Sequence, residues 1–132
     1  MEVKFYKCET CGNVALKVVD EGPTLVCCGN PMVELATNLD GAPEKHIPSI
    51  QVEGDRVDVQ IGAELHPELE VHHIMFICLV TEKGYQIVPI EAGIAPRAVF
   101  IVNPEDTPLK VYEYCNVHGL WVADVENPTR AE

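Results

Sequence analysis

Two sets of metal-donor side chains stand in this sequence without overlapping. Cys8, Cys11, Cys27 and Cys28 form a Cys-x2-Cys turn and an adjacent pair near the start of the chain. His46, His66, His72, Cys115 and His118 form a nitrogen-rich set with one sulfur. Four thiolates can surround one ion tetrahedrally, and that geometry selects zinc or iron; the spacing leaves both open. Such a site has no open position, so it can hold a fold or pass electrons. Neighbouring cysteines reach one ion only by opening the S–metal–S angle, so a distorted tetrahedron is expected. The mixed set offers five donors, one more than a structural zinc takes. It suits iron with a sixth position free, and a thiolate opposite that position would push electron density onto the metal.

The elements that must position these donors read as strands. Phe5-Tyr6-Lys7 leads into the Cys8–Cys11 turn, Val14–Val19 alternates, and Thr24-Leu25-Val26 runs into Cys27-Cys28. Asn38 to Pro43 reads as the boundary between a module of residues 1–37 and a domain of residues 38–132. In the second part, Val57–Ile61 alternates cleanly, and Ile74–Val80 is nearly all apolar, as in a strand covered on both faces. Gly84–Ile90, Ala98–Val102, Leu109–Tyr114 and Leu120–Val125 are rich in Val, Ile and aromatics. Cys115-Asn116-Val117-His118 falls in a turn between the last two. Ten prolines and nine glycines leave no long helical window. The fold class is all-β, and the second part reads as an antiparallel sandwich or barrel.

Bulk properties narrow the function further. The 132 residues suit one small module plus one compact domain. A module of residues 1–37 falls below the roughly 40 residues that usually fold without metal, disulfides or a partner. The formal net charge of −12 excludes nucleic acid, which needs a basic face. It also argues against anionic membrane surfaces, and could offer a docking face to a basic partner. No secretory leader and no apolar run of membrane-spanning length is seen. A cytoplasmic location is therefore expected, where cysteines stay reduced and serve metal or redox chemistry.

Taken together, Cys8-x2-Cys11, Cys27-Cys28-Gly29-Asn30-Pro31-Met32, Glu44-Lys45-His46, His66-Pro67-x4-His72 and Tyr114-Cys115-Asn116-Val117-His118-Gly119-Leu120-Trp121 closely resemble desulfoferrodoxin, the two-iron superoxide reductase family. The motifs span residues 5 to 121. The resemblance implies a desulforedoxin-like module with iron in the four sulfurs, followed by an immunoglobulin-like β-sandwich. It implies a second iron with His46, His66, His72 and His118 in a square base and Cys115 axial. It implies one-electron reduction of superoxide to hydrogen peroxide, a rubredoxin-like electron donor and a homodimer. Lys45 would attract the anion and help protonate the product, and Glu44 would close on the oxidised iron.

Two positions depart from that family's usual pattern: His73 and Phe76 stand where members usually carry Tyr and Trp. The spacing from His66 favours His72 over His73 as donor, and strand alternation sends the two side chains to opposite faces. Cys78 reads as a small buried hydrophobe. Backbone N–H groups of Asn116, Val117 and His118 could bond the Cys115 sulfur. The competing functions are a non-enzymatic electron carrier, a zinc-stabilised binding module and a dismutase. The anion-attracting lysine, the five-donor count and the electron-rich thiolate weigh against them in turn.

Overall fold

The structure is a computed structural model that describes residues 3–38, 46–62 and 72–126. The chain divides into two compact units, Glu2–Ala36 and Thr37–Glu132. In the smaller unit, strands β1 (Phe5–Lys7), β2 (Val14–Leu16) and β5 (Val33–Glu34) form an antiparallel sheet in the order β2-β1-β5. A two-stranded ribbon joins β3 (Val26–Cys27) to β4 (Asn30–Pro31). The expected strand over 14–19 stops at Leu16 because Lys17 folds over the next turn. Its Nζ donates to Asp20 at 2.6 Å and to the carbonyls of Gly22 and Pro23 at 3.2 and 3.0 Å. Val18 and Val19 are left exposed. Among the described residues, only Phe5, Cys8 and Met32 supply buried apolar side chains here.

The larger unit has two antiparallel sheets. One carries β6 (Pro48–Glu53), β7 (Arg56–Ile61) and β10 (Arg97–Ile101) in the order β10-β7-β6. The other carries β8 (Ile74–Thr81), β9 (Tyr85–Pro89), β11 (Pro108–Cys115) and β12 (Gly119–Asp124) in the order β12-β11-β8-β9. Strand alternation builds the core between them: Val57, Val59 and Ile61 from β7 and Ala98 and Phe100 from β10 meet Ile77 and Leu79 from β8 and Val111 and Cys115 from β11. Seven strands in two facing sheets make the expected all-β sandwich. The apolar run in β8 is covered on both faces from Ile77 to Thr81, as its composition requires. Cys78 is fully buried there, and burial pushes its thiol up to about 12. It is the inert apolar filler expected from its setting. No described helix is long and apolar enough to cross a membrane.

The residues just before this unit's first strand close one sheet edge. Thr37 bridges Leu120, Asn38 N–H donates to the Leu120 carbonyl at 2.9 Å, and Asn38 Oδ1 accepts from Val122 N–H at 2.9 Å. Asn38 Nδ2 donates to the Val122 carbonyl at 3.3 Å. An edge strand with free N–H and C=O groups is an aggregation hazard, and this asparagine covers part of it. Asn38 does so at φ +56, a conformation asparagine tolerates better than most residues. Asn38→Ala should cost about 1–2 kcal/mol, from the lost bonds and the left-handed backbone. Urea unfolding followed by circular dichroism would measure it.

Candidate metal centres

In the smaller unit the Cys8–Cys11 turn follows β1, and Cys27 and Cys28 sit at the tip of the β3–β4 ribbon. The four sulfurs all lie within 4.8 Å of one another. Cys11 Sγ is 3.6 Å from Cys27 Sγ, and Cys27 Sγ is 4.0 Å from Cys28 Sγ. With metal–sulfur bonds of about 2.3 Å, a regular tetrahedron has edges of about 3.8 Å. The measured pair brackets that value, so the donors fit one ion.

Backbone conformation explains how neighbours can face one ion. Cys28 has φ +53 and Gly29 φ +76. A non-glycine residue held in the left-handed region is strained, and such strain collects at functional sites. Here it turns the second sulfur of the pair back towards the first. Electrostatics agree. The backbone N–H of Cys11, with that of Thr10, holds the Cys8 thiol down to about 6. Crowding by Cys11, Cys8 and Cys27 pushes Cys28 up to about 12, and Cys11 and Cys8 likewise raise Cys27. Four thiolates so close together need a cation between them.

The mixed set gathers in the larger unit. His46 precedes β6, His72 precedes β8, Cys115 ends β11, and His118 lies in the turn before β12. Donor atoms of His46, His72 and Cys115 lie within 4.8 Å of one another. Two donors on opposite sides of one ion sit about 4.4 Å apart at bond lengths near 2.2 Å, so this trio also fits one ion. The ring of His118 stands edge-on to both other imidazoles, with centroids 4.8 Å from His46 and 5.2 Å from His72. His73 is not among the converging donors. Glu44, Lys45 and His66 lie outside the described residues.

The Cys115 turn is held by a reciprocal pair of hydrogen bonds. His73 N–H donates to Asn116 Oδ1 at 2.9 Å, and Asn116 N–H donates to the His73 carbonyl at 3.2 Å. The register of β11 against β8 shifts between Tyr114 and Cys115, and Asn116 closes that irregularity. The Asn116 N–H thus has a partner on the neighbouring strand's approach, the His73 carbonyl. Asn116→Ala should cost about 1–3 kcal/mol by stranding the half-buried His73 N–H, whereas Asn116→Asp, which keeps the acceptor, should cost less. Thermal melts of the two variants would separate them.

Trp121 packs against the site, and the neighbouring strand position holds a buried acid; neither was singled out by donor type. Trp121 is 3% exposed, and its ring stacks on His46 at 5.1 Å between centroids and 16° between planes. Its Nε1–H donates to the His118 carbonyl at 3.2 Å. Glu113, two residues before Cys115 and opposite Trp121 in register, is fully buried. The signal for Glu113 was present: an acid at an inward position of an apolar strand.

Residues 38–124 match the family described as Desulfoferrodoxin, and residues 1–35 match the Desulfoferrodoxin N-terminal domain. A desulfoferrodoxin of Syntrophotalea carbinolica is 41% identical over 124 residues, covering 93% of this chain and 97% of that one. A desulfoferrodoxin homologue of Archaeoglobus fulgidus is 38% identical over 122 residues, covering 90% and 94%. The crystal structure of the superoxide reductase from Treponema pallidum superposes with a TM-score of 0.80 at 32% identity, covering 92% of this chain and 97% of that one. A superoxide reductase (1Fe-SOR) from Giardia intestinalis covers 63% of this chain and 98% of its own, with a TM-score of 0.53 at 31% identity. Family members have two iron sites, and this chain presents two donor groups of the matching kinds. Profile, identity and donor chemistry agree over nearly the whole length: the chain belongs to the desulfoferrodoxin family.

Proposed function

We propose that the protein is a superoxide reductase that works at an iron held by His46, His66, His72, His118 and Cys115, with a second iron in Cys8, Cys11, Cys27 and Cys28. The observation that carries this reading is the convergence of the His46, His72 and Cys115 donors within 4.8 Å. His118 neighbours both His46 and His72 edge-on, and His66 enters the set by family resemblance. The Treponema and Giardia neighbours are both superoxide reductases by name. On this reading residues 1–37 are the four-cysteine iron module, and residues 38–132 are the catalytic sandwich.

Ferrous iron, when bound, supplies the single electron that turns superoxide and two protons into hydrogen peroxide. The chain's own residues do the rest. Four neutral imidazoles and one thiolate leave a ferrous site with one net positive charge, which favours an anionic substrate. The net charge of −12 acts weakly at the site, because charges beyond roughly 8 Å are screened at physiological salt. Lys45, beside His46 in the chain, draws superoxide in and supplies a proton to the product. The Glu44 carboxylate, a hard oxygen donor, would suit the oxidised metal better than the reduced one. Electrons come from a rubredoxin-like protein, and the enzyme works as a homodimer in the cytoplasm; these elements rest on family resemblance.

Metal content and the visible spectrum, as isolated and after oxidation, test the reading. Two irons per chain, sulfur-to-iron bands and a further band when the mixed site is oxidised are expected. Superoxide should be consumed with a reductant, giving peroxide and no oxygen. A colourless zinc protein would overturn the redox function, and oxygen evolved without a donor would make it a dismutase. Lys45→Ala should slow superoxide capture by about tenfold or more, since local charge of this kind raises on-rates 10- to 1,000-fold. Pulse radiolysis measures this. Unchanged second-order rates with iron still bound would remove Lys45 from the mechanism.

A further inference from the structure

We infer that Trp121 is a positioning residue that sets the ring angle of the His46 imidazole, ties that ring to the His118 turn, and thereby sets the iron affinity of the mixed site. The inference rests on the proposed function only in taking His46 and His118 as ligands. A histidine binds metal through a nitrogen lone pair lying in the ring plane, so rotation about the ring's own axis decides whether the lone pair meets the ion. His46 is 2% exposed, and nearly parallel stacking at 5.1 Å and 16° on a buried indole restricts that rotation. The indole edge is itself fixed, because Nε1–H donates to the His118 carbonyl at 3.2 Å. That carbonyl belongs to a residue whose ring stands edge-on to His46 at 4.8 Å and 70°.

Trp121 can do this because of where the fold puts it. It lies on β12, opposite Glu113 of β11, two residues beyond the Cys115↔Gly119 pair that ends the ladder. The strand pair that ends in the Cys115 turn therefore carries the indole as well. Metal-ligating histidines are usually oriented by a hydrogen bond from the second ring nitrogen. Here a flat aromatic face adds a second restraint on the His46 ring, and one side chain couples the segment before β6 to the turn before β12.

Trp121→Phe keeps a flat ring and loses the N–H donor. Trp121→Leu loses both, and Trp121→Met fills space without a flat face. Ferrous iron would be competed from the mixed site with a chelator, in the full chain, with the four-cysteine bands as internal control. The sulfur-to-iron band of the oxidised mixed site and the melting of the metal-free protein would be recorded alongside. Trp121→Phe should weaken iron binding by no more than about threefold. Trp121→Leu should weaken it about 10- to 100-fold, the usual cost of losing a ligand-orienting partner, and should shift or broaden the mixed-site band. If Trp121→Leu does not fold, Trp121→Met takes its place with the same expectation. Parent-like affinity and band in the Leu or Met variant would overturn the inference. Equal weakening by Phe and Leu would also overturn it, because bulk rather than the flat face would then matter. A parent chain without iron in the mixed site would bring down the proposed function instead, a result visible before any variant is made.

Discussion

Cys115→Ser should cut superoxide reduction by at least about 100-fold, because losing even a partner one bond removed from a ligand commonly costs 10- to 100-fold. Serine keeps the shape but its hydroxyl does not ionise as a thiol does, so the electron-rich donor is lost. Cys115 is wholly buried, packs in the core cluster and ends β11 opposite Gly119. The new hydroxyl therefore also enters an apolar setting, which adds a stability cost of about 1–3 kcal/mol. Stopped-flow or pulse radiolysis measures the rate, and the visible spectrum reports the centre. The mixed-site sulfur-to-iron band should vanish, whereas the bands of the four-cysteine centre should remain. Activity within tenfold of the parent, in a folded variant, would show that the thiolate is not the donor on which the reaction depends.

Cys28→Ser should abolish the four-cysteine centre and the order of residues 2–36 together. That unit has three buried apolar side chains among its described residues, Phe5, Cys8 and Met32. Its described strands are three residues long at most. A unit of this size does not fold on apolar burial alone. A bound structural metal contributes about 10–16 kcal/mol in comparable small modules, so losing it leaves the unit unfolded. Limited proteolysis should cut within residues 2–36 of the variant and spare them in the parent. The larger unit should keep its melting temperature. Superoxide capture with a chemical reductant should stay within about twofold, as for independent sites. A tenfold fall would mean that the centre does more than donate electrons and hold its module.

Much of the strand pattern was legible because alternation and apolar runs follow directly from a two-faced sheet. The strands read at Val57–Ile61, Ile74–Val80 and Leu109–Tyr114 correspond to β7, β8 and β11, with ends differing by a residue or so. Strand β6 is not evident from the sequence although Ile50 and Val52 alternate with polar residues. Pro48 opens it, and proline reads as a turn signal unless the strand is known to lie at a sheet edge, where β6 lies. The alternation over Val14–Val19 predicts a strand that runs past Leu16. Local propensity lost there to the Lys17 side chain, whose three bonds close a turn.

The donor types and their spacing determined, without any coordinates, that two kinds of metal chemistry reside in this chain and that one offers more donors than zinc takes. They also set His72 apart from His73, since successive residues of a strand face opposite ways and the spacing from His66 favours His72. Tertiary structure alone decided how adjacent Cys27 and Cys28 can face one ion, because that depends on a left-handed backbone at Cys28 which a bare sequence does not reveal. It alone showed Asn116 tied to His73 and Trp121 lying flat on His46. Each joins residues more than 40 positions apart in the sequence. A donor's type limits which metal it can hold; the packing of its distant neighbours decides where its lone pair points.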